Sequence, residues 1–168
     1  MVEYRHITYF DASAAVKLAV EEHGSGHVRN HFGKHYRHYM TSLCFAEALG
    51  ALKGKVHRNE LPRHSYFNAC YLLMSYLRNG RFHLDDTLKI SSETFMEGEK
   101  LARKYEVDLS DALQIVTVRD GQFKNLARES KTVLATADAG LVKAAKAEDL
   151  RVWNVLDSPE PPGWDEDP

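Results

Sequence analysis

Two short apolar runs in this chain are each followed by an aspartate at the start of a predicted helix. Residues 7–10 lead into Asp11, and residues 133–136 lead, one residue later, into Asp138. Runs of this kind are typical of strands that are buried on both faces of a parallel sheet. Because ligands of open α/β sheets bind beyond the carboxyl ends of the strands, we expect both carboxylates at the same functional edge.

The order of the predicted elements indicates the fold class. Strands and helices alternate early and late in the chain, which favours an α/β fold with a mostly parallel central sheet and helices on both faces. No internal repeat or interdomain linker is apparent, so residues 1–156 are expected to form one domain. The predicted strands are 4–10, 36–40, 81–85, 132–137 and 151–155, and the predicted helices are 12–22, 43–57, 60–78, 92–105, 110–121 and 139–147.

Charge is unevenly distributed, although the formal net charge is only -2. The stretch from His27 to His64 contains seven Lys and Arg against two Glu, which leaves an excess of five positive charges. The tail from Asp157 to Pro168 has five acidic residues, four prolines and no Lys or Arg. Proline cannot continue a helix or a central strand, so this acidic, proline-rich tail is expected to be extended or disordered.

The sequence also indicates the cellular compartment that is expected for this protein. No apolar run approaches the roughly 20 residues that a membrane helix needs, and the N-terminus lacks the organisation of a secretory signal. A cytoplasmic protein without membrane contact is therefore expected. Cys44 and Cys70 form no CxxC pair and lie in predicted helices, which favours buried reduced thiols over a disulfide framework.

Three histidines lie close together in the basic stretch, at positions 31, 35 and 38. The spacing of His31, His35 and His38 would allow a transition-metal site on a helix, but the sequence supplies no fixed fourth ligand. A histidine-rich surface that gains charge below neutral pH is the favoured interpretation.

Each candidate carboxylate has a structural explanation when it is taken singly. Asp11 and Asp138 are good helix N-caps, Asp111 suits the positive end of a helix dipole, and Glu47 could be an exposed residue on a helix. Their surroundings favour a shared site. The predicted helix 110–121 is apolar around most of its circumference, so it should be central, with its Asp111 end opening into a cleft.

Converging carboxylates restrict the chemistry of such a cleft. Glu47 shares a helical face with small residues that permit close approach of another element, which would direct it inward. Four acids without an adjacent Lys or Arg repel one another in a low dielectric, so they need protons or a cation. Hard oxygen ligands select Mg²⁺ or Mn²⁺, which can activate water for in-line attack on a phosphodiester.

Four motifs in this order resemble the PIN-domain ribonucleases, and most closely the VapC-like toxins of type II toxin–antitoxin pairs. The likeness spans nearly all of residues 4–156. Each motif is weak alone, and it is their order and their positions in the predicted elements that make the match specific. The motifs are Asp11-Ala-Ser13-Ala-Ala-Val-Lys-Leu, Ala46-Glu47-Ala-Leu, Leu109-Ser110-Asp111-Ala-Leu-Gln and Thr136-Ala-Asp138.

The resemblance implies a PIN-like fold and an endoribonuclease that depends on Mg²⁺ or Mn²⁺. Ser13 and Thr136 match hydroxyl positions that support the metal site. Asp108, one helical turn before Asp111, could steer a water molecule, although capping the helix is favoured. The segment from Gly121 to Lys131 departs from the family pattern by lengthening the path to the last acid. The acids that the resemblance assigns to the metal site are Asp11, Glu47, Asp111 and Asp138.

The resemblance also implies partners. RNA is the expected substrate, a small antitoxin would bind across the active-site groove, and the protein would form homodimers. Tyr36 and Tyr39 could stack on bases, but a buried strand favours core positions for both. The basic residues that could neutralise RNA phosphates are Lys34, Arg37, Lys53, Lys55, Arg58 and Arg63.

Two other function classes are open. A noncatalytic or housekeeping PIN-like module could bind or process RNA, although a scaffold has no use for four mutually repelling acids. A phosphoacceptor signalling domain also has an acidic Mg²⁺ pocket at strand ends. That class needs a late lysine near the pocket, whereas Ala139-Gly140-Leu141 follows the last acid here.

Overall fold

A computed structural model describes residues 6–164 as five parallel strands and eight helices. None of the helices in this range has the length and apolar character that crossing a membrane requires. The strands are β1 (Ile7–Phe10), β2 (His38–Met40), β3 (Phe82–Leu84), β4 (Thr132–Thr136) and β5 (Val152–Asn154). The helices are α1 (Ala12–Ala19), α2 (Ser25–Lys34), α3 (Ser42–His57), α4 (Arg63–Arg78), α5 (Ser92–Tyr105), α6 (Leu109–Asp120), α7 (Lys124–Arg128) and α8 (Ala139–Ala147).

The strand order creates a crevice at one place in the sheet. The strands lie in the order β3-β2-β1-β4-β5, and every neighbouring pair is parallel. The chain proceeds outward from β1 through β2 to β3 and then crosses back to β4 on the other side of β1. The connections on the two sides of β1 therefore diverge, which opens a crevice between β1 and β4. Sheets of this kind bind ligands in the crevice beyond the carboxyl ends of the two strands.

Helices cover both faces of the sheet, as expected for strands that are apolar throughout. All residues of β1 and β4 are buried. One core contains residues of α1 to α4, with Leu52 and Leu73 fully buried, and the other contains residues of α5, α6 and α8, with Ile115 and Leu141 fully buried. The α/β fold with a parallel sheet covered on both faces is thus confirmed.

Most of helix α6 is buried beside the crevice. Seven consecutive residues, from Ala112 to Val118, are buried, which confirms the central position predicted from its apolar circumference. The first turn, with Ser110 and Asp111, and the last two residues of the helix are partly open. The burial of α6 therefore holds the Asp111 carboxylate against the interior of the fold.

Two helices lie where the sequence predicted none. Helix α2 carries two glycines and several polar residues, which lower helix propensity, and its formation depends on the packing of Val28 and Phe32 against the core. Helix α7 has only five residues, too few for a periodic pattern to emerge.

The tyrosines and histidines around β2 differ from expectation. Because β2 begins at residue 38, Tyr36 lies outside the strand and is 52% exposed, so its predicted core position is wrong. Tyr39 is half-buried, and its ring packs against those of Tyr9 and Phe123. In this region, His38 contributes its side chain to the core and is fully buried.

Of the three histidines at positions 31, 35 and 38, two lie in the core and do not form part of a surface that titrates. His31 and His38 are buried, and desolvation lowers their pKa values to about 2 and about 3. His31 Nε2 lies 2.8 Å from Thr8 Oγ1, and His38 Nδ1 donates to the Arg81 carbonyl oxygen at 3.2 Å. The expectation of a histidine-rich surface is therefore wrong for these two positions.

The acidic tail packs on the fold as far as Trp164. The Trp164 indole is 7% exposed, and its ring centroid lies 4.4 Å from that of His6 and 5.5 Å from that of His31. Glu160 pairs with Lys34 at 2.8 Å. A disordered state thus does not describe residues 158–164, while residues 165–168 lie outside the described range. Among the described residues, Cys44 is a buried and Cys70 a half-buried free thiol.

Replacing Trp164 by alanine should destabilise the protein by about 3 kcal/mol, because the substitution empties a buried site between the histidines and Arg151. Urea unfolding followed by circular dichroism measures the change. Trp164→Phe, which keeps an aromatic ring, should recover most of the lost free energy. An unchanged unfolding midpoint for Trp164→Ala would show that the tail contributes no stability.

Candidate functional site

Asp11 forms the floor of the crevice at the end of β1. Its backbone amide continues the sheet by donating to Ala135, and its carboxylate caps α1. The side chain is only 3% exposed. A capping aspartate is common, but this one also accepts hydrogen bonds from the neighbouring strand and helix, so it joins three elements.

The hydroxyl groups of Ser13 and Thr136 orient the Asp11 carboxylate. Ser13 Oγ donates to Asp11 Oδ2 at 2.6 Å, and Thr136 Oγ1 donates to the same oxygen at 2.9 Å. Each hydroxyl has one proton, so the 3.2 Å approach of the two hydroxyl oxygens is not a further hydrogen bond. Both protons go to Oδ2, and Oδ1 accepts none from the residues described. Oδ1 is therefore the oxygen available to another ligand.

Asp138 lies at the same edge through its bond to Thr136. The Asp138 amide donates to Thr136 Oγ1 at 3.0 Å, and Asp138 Oδ1 accepts from the Leu141 amide at 3.0 Å, capping α8. The carboxylate is exposed. The insertion-like segment 121–131 folds into α7 and its flanking turns and leaves Asp138 at this edge.

Asp111 and Glu47 complete a convergence of negative charge. Desolvation, followed by repulsion from Asp11, Glu47, Asp138 and Asp108, raises the pKa of Asp111 to about 7. The pKa of Glu47 is also raised, first by desolvation and then by Asp11 and Asp108, while the Ser110 hydroxyl acts in the opposite direction. Every cause resolved for Asp111 is unfavourable to its charged form, and no Lys or Arg of residues 6–164 is among them.

Asp108 occupies the N-cap position of α6 but does not act as a cap. Its backbone is extended, as at other N-caps, yet its side chain accepts no hydrogen bond from the first turn of this helix in the described structure. The favoured capping role is therefore wrong. The carboxylate is exposed, and its charge adds to the repulsion on Asp111.

The four acids are close enough to repel one another electrostatically, but their side chains do not form a closed coordination shell. Within residues 6–164, no three His, Cys, Asp or Glu side chains are grouped closely enough to hold one metal ion. Asp11 is buried, Asp111 is half-buried, and Glu47 and Asp138 are exposed at the rim. Carboxylates alone at a site without a compensating cation are the donor set that suits a hard divalent ion.

Two polar residues at this edge were not predicted from the sequence. Asp85 directly follows β3, is 1% exposed, and accepts hydrogen bonds from the Tyr9 hydroxyl and, at 2.5 Å, from Thr87 Oγ1. The signal was available, because an aspartate follows a strand there as it does at Asp11. Gln114 is fully buried one turn after Asp111, and its Nε2 donates to the Phe10 carbonyl at 3.2 Å. It ties α6 to the end of β1.

The predicted RNA-binding residues do not form one surface beside the acids. Lys34 pairs with Glu160, and Arg37 lies over the Phe123 ring. Both precede β2, so they lie at the amino edge of the sheet, opposite the crevice.

The other four basic residues lie on α3, the turn after it and the start of α4. Lys55 pairs with Glu22, and Arg58 pairs with Glu60. Lys53 lies over the ring of Tyr66. Lys53 and Arg63 have no carboxylate partner among the described residues, which makes them the members of the set best able to meet a phosphate.

Comparisons with known proteins agree with the fold and go no further. No family model matches the sequence, and no curated protein matches it. The crystal structure of PAE2754 from Pyrobaculum aerophilum is similar, with a TM-score of 0.54 and 20% sequence identity over 83% of this chain and 85% of that chain. At this identity the likeness shows a common fold alone.

Asp111 should make the stability of the cation-free protein depend on pH. Its pKa rises from the usual 3.8 to about 7 on folding, so the fold loses stability as the pH increases through that interval. Asp111→Asn should therefore stabilise the protein by about 1–2 kcal/mol at about pH 8, after solvent screening is allowed for, and by less at about pH 5. Thermal unfolding in EDTA at the two pH values measures the difference, and equal stabilisation at both would contradict the assignment.

Proposed function

We propose that this protein is a PIN-domain ribonuclease of the VapC-like type, an endoribonuclease that depends on Mg²⁺ or Mn²⁺. The observation that carries the proposal is the convergence of the carboxylates of Asp11, Glu47, Asp111 and Asp138 at the point where the strand order reverses. Burial, followed by repulsion from the other acids, raises the pKa of Asp111 to about 7, and no Lys or Arg of the described residues is among the causes resolved for it. Groups with strongly perturbed pKa values in a crevice are typical of functional sites.

A divalent ion would be held by the four acids. Asp11 offers Oδ1, since its Oδ2 already accepts hydrogen bonds, and Asp111 faces the same interior. Glu47 and Asp138 are exposed at the rim. Asp138 caps α8 through Oδ1, which leaves Oδ2 for the ion, and Glu47 would exchange its hydrogen bond with Ser110 for the ion as the repulsion is neutralised. Bound there, the ion would lower the pKa of water and stabilise charge on a phosphodiester during in-line displacement.

The residues around Asp11 would keep its carboxylate in one orientation. Ser13 Oγ accepts from the Ala137 amide at 2.9 Å while donating its proton to Asp11, and Thr136 Oγ1 accepts from the Asp138 amide while donating to Asp11. Both hydroxyls thus have fixed directions. Such supporting hydrogen bonds orient metal ligands and strengthen binding. Asp108, which is exposed and does not cap α6, is the carboxylate left to orient water.

RNA is the proposed substrate. Lys53 lies six residues after Glu47 on α3, about 9 Å further along the helix axis. Lys53 and, further from the acids, Arg63 have no carboxylate partner among the described residues and could bind phosphates along the RNA. Lys34, Arg37, Lys55 and Arg58 are engaged in ion pairs or ring contacts, or lie at the opposite edge, and are assigned a smaller part.

A small antitoxin and a second copy of the chain are the proposed protein partners. Leu43 at the start of α3 and Leu109 at the start of α6 are 38% and 39% exposed, on the two helices that carry Glu47 and Asp111. An apolar helix flanked by basic side chains would complement this combination of acids and exposed leucines.

Asp11→Asn and Asp111→Asn should each lower Mg²⁺-dependent RNA cleavage by about 10²-fold or more, because each removes a charge from the ion site. Both variants should stay folded, since asparagine retains the shape and remains a good N-cap at position 11. Cleavage of a fluorescent RNA, with circular dichroism as the folding check, measures both effects.

The matched control is Glu99→Gln, an exposed carboxylate on α5 that pairs with Arg103 at 2.7 Å. It should cleave RNA at the parent rate. Cleavage by Asp11→Asn at the rate of the control would remove the acids from the mechanism.

Chelation should stop the reaction, and Mn²⁺ should restore it, because oxygen ligands accept either hard cation. The measurement is cleavage in EDTA followed by titration with each cation. Cleavage that persists in chelator would indicate a metal-free mechanism. Binding of RNA without cleavage under either cation would instead favour the noncatalytic PIN-like module.

A further inference from the structure

We infer that a second pocket, between α1, α2 and α4, binds a small organic anion. The pocket has a volume of about 590 Å³, within the range of small-molecule sites. Its walls are mainly apolar and aromatic, and two arginines adjoin them. The lining residues used in this argument are Leu18, Arg29, Phe32, Leu72, Tyr76 and Arg81.

Arg81 is a half-buried cation without an anionic partner among the residues described. Its guanidinium lies over the rings of Phe32 and Tyr36, at 4.8 and 4.9 Å from their centroids. Nη2 donates to the carbonyl oxygens of Phe32 and His35 at the C-terminal end of α2, the enclosed Nε has no hydrogen-bond partner, and Nη1 has none among the described residues. Because Nη1 is not enclosed, it is the guanidinium donor that an anion in the pocket could reach.

Arg29 brings a second guanidinium to the same pocket. Its Nη1 pairs with Glu21, which partly neutralises it, and its Nη2 donates to the Val20 carbonyl at 3.0 Å. These two contacts fix the guanidinium on the rim and leave further donors for a ligand. The pocket therefore has one positive charge at Arg81, which has no carboxylate partner among the described residues, and a second at Arg29, which Glu21 partly neutralises.

The chemistry of the lining defines the ligand class. Guanidinium groups recognise phosphate and carboxylate oxygens through paired hydrogen bonds. Leu18 and Leu72 offer an apolar floor, and Tyr76, whose ring lies 4.8 Å from that of Phe32, offers an aromatic wall. The matching ligand carries a phosphate or carboxylate at one end and a flat or apolar body at the other.

The pocket is separate from the acidic crevice. Helix α1 begins beside Asp11 at the carboxyl edge of the sheet, and Leu18 lies seven residues later, about 10 Å along the axis. Arg81 precedes β3, so it lies at the amino edge. Ligand binding in the pocket consequently does not depend on the proposed nuclease activity.

Isothermal titration with phenyl phosphate and with benzoate tests the inference on the full chain. Gly33 lines the pocket on α2 and has open space where a side chain would begin, so Gly33→Leu fills the pocket without removing any bond. Gly26 lies on the same helix, also in open space, but does not line the pocket. Gly26→Leu is therefore the matched control.

The parent, Gly26→Leu and Asp11→Asn should bind one equivalent of at least one probe with the same affinity. Gly33→Leu and Arg81→Met should bind at least about tenfold more weakly, through steric exclusion and loss of the charged donor. Preference for phenyl phosphate or for benzoate identifies the anionic group. Failure of the folded parent to bind either probe saturably, or parent-like binding by Gly33→Leu, would overturn the inference.

Discussion

The hydrogen bonds that converge on Asp11 Oδ2 are the interaction on which this structure depends most. They join the end of β1, the first turn of α1 and the end of β4 through two hydroxyl groups, at the place where the strand order reverses. Because both hydroxyl protons point to one oxygen, the carboxylate has a single orientation. The adjoining Asp138 amide bonds to Thr136, so the position of the second aspartate follows from the same network.

This arrangement holds more negative charge at one edge of the sheet than helix capping requires. The carboxyl ends of parallel strands and the amino ends of the following helices favour anions, which explains why single acids are tolerated there. Asp111 exceeds that tolerance, since burial and four neighbouring acids raise its pKa to about 7. Strongly perturbed carboxylates in a crevice are more frequent at functional sites than elsewhere, which is the basis of the function proposed for this edge of the sheet.

The opposite edge of the sheet has a different chemistry. Buried histidines, the docked Trp164 and the stacked guanidinium of Arg81 form an aromatic and cationic region there. The tail meets this region with Glu160 on Lys34. The basic half of the sequence thus faces largely away from the acids, and much of its charge is balanced within the molecule.

What the sequence by itself determined was the set of elements with strong local patterns. The fully apolar runs of β1 and β4, the enclosed α6 and the acids that follow strands or begin helices were all readable, because period and capping chemistry are local properties. The sequence could not reveal that α2 forms from a polar, glycine-containing segment, that His31 and His38 belong to the core, or that Tyr36 does not. It also could not show that Asp108 leaves α6 uncapped, that Asp85 is locked by Tyr9, or that Lys34 and Glu160 meet across 126 positions. Only the tertiary structure decided these, since burial and pairing between distant segments depend on how the helices pack on the sheet.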